Sequence, residues 1–263
     1  MPYGQPLDQI PLWTLFSGTV ILFMIAAEGG FHVGKFVISR RKQSRKYQVG
    51  TILGASLGLL AFLLAITFSI AGSRFDTRKQ LVLDEANAIE TTYLRAKLLP
   101  EPFSSDFQDL LHKYVSVRAQ VQNGTLDNIQ QLIKESEELQ RLLWSKAVIL
   151  NKEKPPTIVT GLFIQSLNDV LDLHGKRLAT ALINRMSPGI IVTLYFVASL
   201  AMALMGYQAG LSGVRNLISG FALMLAFSAV LMLITDLERP SQKIFSVSQR
   251  IMVDLETKMG GKQ

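Results

Sequence analysis

Three side chains able to carry charge or protons share one short segment. In AEGGFHVGK (27–35) the carboxylate of Glu28 is followed four residues later by the imidazole of His32, and three residues after that by Lys35. On a helix this spacing puts all three on one face. An acid with two basic neighbours can neutralise itself, hold a small ion, or respond to pH through the imidazole. The run before it, PLWTLFSGTVILFMIAA (11–27), has no charge, so the cluster stands at the end of a stretch that a bilayer would accept. In mid-membrane a carboxylate costs ~2.5–3.5 kcal/mol on insertion scales. Counting about 20 residues of hydrocarbon depth from Leu12 ends near Phe31, which places Glu28 one turn inside the boundary. The segment therefore reads as a locally neutralised cluster at a membrane edge, and in a pore it would stand at the mouth.

A second polar set lies at the end of another apolar run. In TDLERP (235–240), Asp236 and Arg239 are spaced i to i+3, and Pro240 prevents the helix from continuing. A structural clamp at the interface is expected there, or a cation-attracting vestibule if the protein forms a ring. Other chemistry is poorly represented. The chain has no cysteine, which excludes disulfides, thiolate metal sites and cysteine nucleophiles together. His112 and His174 have no ligand-spaced partner, although Glu90, Asp109 or Asp172 could meet one of them in the folded chain. The glycines lack the GxxxxGK[ST] spacing of a phosphate loop. No catalytic residue, metal or cofactor is expected, and the chain does not read as an enzyme.

The elements that must position these residues are membrane helices. Of 263 residues 49% are apolar, gathered into long charge-free runs. Four of them qualify as spans: 12–37, 50–72, 190–207 and 217–234. Without water to satisfy the backbone, each must be helical. The first reads as an uncleaved anchor, because the tail MPYGQPLDQI before it carries no Lys or Arg.

Charge sets the expected orientation. The loop SRRKQSRKYQV (39–49) holds Arg40, Arg41, Lys42, Arg45 and Lys46 with no acid, and the short loop AGLSGVRN (209–216) contributes Arg215. The positive-inside rule makes both cytoplasmic. The termini and the segment 73–187 then lie outside, in the periplasm of a Gram-negative cell. Much of the formal net charge of +7 sits in the first loop, where topology and anionic lipid account for it without a nucleic-acid partner.

The middle segment reads as an extramembrane antiparallel helical bundle. RFDTRKQLVLDEANAIETTYLRAKLL (74–99) continues the second span until PEP (100–102) stops it. A further helix runs from Phe103 to Gln122 and ends at Asn123-Gly124. Another starts from a Thr125 cap and runs to about Leu150, where KEKPP (152–156) breaks it; a last one runs from Thr157 to Met186. In that helix Leu162, Leu167, Val170, Leu171, Leu173, Leu178 and Leu182 recur at helical intervals. The expected organisation is a tail and first hairpin (1–72), the bundle (73–187), a second hairpin (188–236) and a C-terminal tail (237–263): an all-α membrane protein.

The second span carries one more signal. Gly50, Gly54, Gly58, Ala61 and Ala65 repeat near the helical period and give a face almost without side chains. Such faces let helices approach closely in lipid. Packing within the chain is the plainer reading, and a subunit interface or pore-facing surface the alternative. Ser56, Phe62 and Thr67 lie on the same span as candidates for an ion pathway, and the hydroxyls can bond to their own helix.

The segment 47–102, with GLLAFLLA and SRFDTRKQLVLDEANAIETTYLRA, and the later DLERPSQ resemble the bacterial bestrophin-like domain family of four-span membrane proteins. Kinship with bestrophins implies an oligomeric anion channel with its pore lined by the second span and an acidic calcium clasp. No such clasp is identified: Asp236, Glu238, Asp254 and Glu256 are interleaved with bases. Two functions are expected from this. One is a homo-oligomeric ion channel of the bacterial inner membrane, passing inorganic ions; the other is a non-conducting membrane-anchored interaction or sensor protein.

Overall fold

In a computed structural model of the chain, which describes residues 10–40, 46–120, 126–155, 157–183, 186–239 and 248–260, the elements are helices throughout. They are α1 (Leu12–Arg40), α2 (Lys46–Ala96), α3 (Phe103–Gln120), α4 (Leu126–Glu153), α5 (Ile158–Leu178), α6 (Pro188–Ser212), α7 (Leu217–Glu238) and α8 (Arg250–Gly260). Arg41, Lys42, Arg45, the Asn123-Gly124 stop, the Thr125 cap and Pro240 lie outside the described residues. Among the described residues four helices, α1, α2, α6 and α7, are long and apolar enough to cross a membrane. The 51 residues of α2 exceed what a bilayer needs: ~30 Å of hydrocarbon takes about 20 residues at ~1.5 Å each. Its apolar part ends near Gly72, and the rest carries charge.

Local signals set several boundaries. Thr157 caps α5 by accepting the Thr160 backbone N–H at 3.1 Å, and Pro188 opens α6, where its missing N–H costs nothing. Gly213 ends α6 with φ +71°, a conformation that glycine adopts freely. Asn216 then caps α7 through the Ser219 N–H. The helix expected to run without change to Met186 instead passes into a π-helical turn at Ala179–Ile183.

The chain divides into two units, Met1–Arg74 with Arg185–Phe245 and Phe75–Asn184 with Ser246–Gln263. In the first, α1 and α6 touch backbone to backbone. A Cβ on Gly30 would lie 1.9 Å from the Ala203 carbonyl oxygen, and one on Gly206 1.8 Å from that of Ala27. Gly34 and Gly210 repeat the arrangement one turn on, at 2.4 Å from Tyr207 O and 2.3 Å from Phe31 O. These are two small-xxx-small motifs packed against each other, a contact driven by van der Waals fit where lipid offers no hydrophobic gain. The stripe predicted on α2 is placed differently. A Cβ on Gly50 would meet Gln208 Nε2 at 3.2 Å, but nothing lies within 4 Å of one on Gly54 or Gly58.

The core of the second unit draws on α2, α3, α4, α5 and α8. Ile89, Phe107, Leu143, Phe163 and Met252 are all fully buried in it. Along α5 the buried face is Phe163, Ser166, Leu167, Val170 and His174, whereas Leu162, expected inside, is 43% exposed. The C-terminal tail contains α8, whose Met252 and Leu255 complete that core.

Candidate functional site

The uncovered part of α2 is built by two opposed faces of one helix. Leu60, Leu64, Thr67 and Ala71 are buried at three- and four-residue intervals. Gly54, Gly58, Ala61, Phe62 and Ala65 are exposed on other sides, with Phe62 62% accessible. Thr67 is therefore turned inward, away from Phe62, and bonds to Leu63 O at 2.6 Å. Ser56 bonds to Ile52 O at 2.9 Å. Both hydroxyls are satisfied along their own helix, as expected of such residues in apolar surroundings.

Glu28 does not pair along its own helix. Its carboxylate accepts from Arg215 Nη2 at 2.5 Å, and the guanidinium lies over the Phe31 ring, 3.7 Å from its centroid. His32 and Lys35 make no ion pair with it among the described residues. The reason is reach. Residues at i+4 and i+7 compete with an arginine brought across by the α1–α6 crossing, and its planar fork suits a carboxylate better. Arg215 belongs to the connection between α6 and α7, so the pair ties Glu28 to the end of those two helices.

The motif at the end of α7 is almost enclosed: Asp236 is 0% exposed and Arg239 3%. In the same motif Glu238 pairs with Arg74, at 3.2 Å. Glu238 Oε2 also accepts the Met186 N–H at 2.8 Å. One carboxylate thus joins the end of α7 to α2 and to the residues that precede α6.

In the second unit a buried network missed in the sequence centres on Glu85, beyond the apolar part of α2. It is fully buried and paired with Arg177 from α5 and with Arg118 Nε from α3 at 3.3 Å. Burial alone would push its carboxyl up, but the two guanidiniums outweigh this and hold it at about 2. Tyr114 donates its proton to Glu85 Oε1 at 2.8 Å. Its oxygen accepts from Gln140 Nε2 at 3.1 Å, and from the Nδ1–H of His174 at 3.2 Å once the single phenol proton is committed. Burial and the Glu85 charge drive the phenol well above its ordinary pKa. Burial first, and then the Arg118 charge, lower His174 to about 4, so the imidazole is neutral at physiological pH. From α8's leading edge, Gln249 accepts from Arg177 at 3.4 Å. None of Glu90, Asp109 or Asp172 is the acid that meets His174. The network holds four helices together and is buried at its centre; among the described residues no group of acids and histidines could hold a metal ion.

What was legible of these sites was residue type, not partner. Arg215 and Glu238 stood in quoted motifs, but nothing in the spacing of one helix reveals which neighbour it meets. Gly30, Gly34, Gly206 and Gly210 carried the clearest overlooked signal, a matched pair of GxxxG motifs.

Known proteins share this architecture. A bacterial bestrophin homolog from Klebsiella pneumoniae carrying a point mutation superposes with a TM-score of 0.66 at 14% identity, over 94% of this chain and 98% of that one. A second structure of the same homolog gives 0.66 at 14% identity, over 95% and 97%. A structure described only as a membrane protein gives 0.69 at 14% identity, over 95% and 99%. At such identity the likeness is one of fold. No curated protein matches the sequence. The bestrophin-like domain model matches residues 20–252, and the chain belongs to the bestrophin-like domain family.

Proposed function

We propose that this multi-pass membrane protein is a homo-oligomeric ion channel of the bacterial inner membrane, with α2 lining the conduit. The observation that carries the reading is the uncovered face of α2. A span on which a Cβ at Gly54 or Gly58 would find nothing within 4 Å, beside an exposed Phe62, has a surface suited to a neighbouring subunit or a water-filled axis. In this reading Phe62 forms the constriction and Ser56 lies beside the path. Gly54, Gly58, Ala61 and Ala65 set how closely subunits approach, and Gly50 packs within the chain. Thr67 faces the protomer's interior and supports the helix. Asp236 and Arg239, enclosed at the end of α7, stiffen the span end. Glu28, His32 and Lys35 belong to the rim at the opposite end of the spans. The basic loop 39–49 faces the cytoplasm, and the segment 73–187 forms the external bundle.

A second reading is favoured by one specific observation: the exposed α2 face is apolar, with Leu59, Phe62 and Ile66 all more than two-fifths accessible. A membrane-anchored interaction protein needs no polar path. Purified full-length protein in liposomes separates the two. The channel reading expects chloride or sodium flux above empty liposomes, raised by Phe62→Ala, from a particle of several subunits. A monomeric particle with no flux at any voltage or pH would rule it out.

A further inference from the structure

Within the first unit α1, α6 and α7 line an open cleft of about 590 Å³. That volume falls within the ~300–1,000 Å³ typical of small-molecule sites. Its lining is mainly apolar and rich in methionine, with Met24 from α1, Met205 from α6, and Phe221 and Met224 from α7. Methionine is unbranched and adaptable, and suits a wall that must fit a flexible chain. The mouth is polar in a particular way: Glu28 and Arg215 border it as an ion pair, with Asn216 beside them.

That rim offers charges of both signs at a membrane boundary. Arg215 uses Nη2 on Glu28 and one face on Phe31, and among the described residues its remaining N–H groups have no acceptor. Glu28 accepts through Oε2 and is 51% exposed, which leaves Oε1 accessible. A ligand matching the whole site has an apolar tail, an anionic group and, a few bonds away, a cation able to donate hydrogen bonds.

We propose that this cavity is a phospholipid site. One acyl chain lies between α1, α6 and α7, and the head group of an aminophospholipid sits over the ion pair, its phosphate on Arg215 and its ammonium on Glu28. A purely anionic head group would meet the Glu28 carboxylate unfavourably, and a quaternary ammonium would have no N–H to donate. The site is independent of whether α2 conducts.

The test is native mass spectrometry of the delipidated full-length protein with dioleoyl phosphatidylethanolamine, phosphatidylglycerol or phosphatidylcholine added in turn. The wild type should retain one phosphatidylethanolamine per protomer, at least tenfold more tightly than the other two. Gly220→Leu fills the cavity, and its Cβ would meet only Met205 Cε, at 3.7 Å. It should lower retention at least tenfold with helix content unchanged. Glu28→Gln should abolish the preference for phosphatidylethanolamine over phosphatidylglycerol. Equal retention of all three lipids, or unchanged retention in Gly220→Leu, overturns the proposal. So does a Gly220→Leu protein that changes subunit number while binding lipid as before, since the cavity would then seat a neighbouring subunit. If Gly220→Leu does not fold, Met205→Phe fills the same space from α6 and is judged by the same outcomes.

Discussion

Replacing Glu85 with glutamine should be among the most damaging conservative changes in the chain. The side chain keeps its shape but loses the charge that neutralises Arg118 and Arg177, both nearly enclosed. Removing one partner of a buried ion pair typically costs ~3–5 kcal/mol, because the other charge is left without compensation. The carboxyl's own displacement gives a similar figure: holding an acid from 4.5 down to about 2 corresponds to roughly 3 kcal/mol. For a domain of this size that is a fall of about 10 °C in the unfolding midpoint. Fluorescence unfolding in detergent can read it through Trp144 in α4, with Trp13 replaced by phenylalanine so that the signal comes from the second unit. Because the folded pKa is depressed, the stabilisation is complete above pH 4.5 and is lost as pH falls toward 2. The gap between wild type and Glu85→Gln should therefore be constant from pH 5 to 8 and narrower at pH 3. A midpoint shift below about 2 °C at pH 7 would refute the claim that this carboxylate holds the helices together.

His174 adds its own pH dependence. Its folded pKa of about 4 lies below its ordinary 6.5, so on acidification the unfolded chain binds a proton before the folded one does. Wild-type stability should fall between pH 6.5 and 4, and His174→Gln should flatten that part of the Trp144 melting profile. Gly206→Ala should lower the unfolding midpoint by more than 5 °C, because its Cβ would be 1.8 Å from a carbonyl oxygen, whereas Gly54→Ala should keep the wild-type helix content and fold. Circular dichroism with melting measurements checks both. For topology, Ser105→Cys should react with an impermeant thiol reagent in intact spheroplasts and Gln43→Cys should not; the reverse pattern would invert the proposed orientation.

The membrane helices were legible because composition alone requires them: a charge-free run of twenty residues has few structural alternatives. Helix ends were legible where one residue decides them locally, as Thr157 and Pro188 do. Partners were not, because they depend on which faces meet. For Glu28, Arg215, far away in sequence, could not be chosen over Lys35 as the partner. On α5, Leu162 and Leu167 looked equivalent, and nothing marked His174 for the inner face because Tyr114, which its Nδ1 meets, lies on another helix. The α8 helix escaped notice because its 11 residues offer only Met252 and Leu255 as a buried pair. The small stripe on α2 drew attention that belonged to the glycines of α1 and α6, since a GxxxG pattern can be recognised as a contact only when its counterpart is read with it.

The seam between α1 and α6 has a mechanical meaning. Where a layer of side chains separates two helices it can act as a lubricant, its rotamers absorbing a small slide. At Gly30, Gly34, Gly206 and Gly210 that layer is absent, and a displacement along the seam drives backbone atoms into one another. The two helices therefore act as a single welded plate. If the protein conducts as proposed, a movement that opens or closes its path is made by α2 and α7 against that plate, not by α1 and α6 against each other.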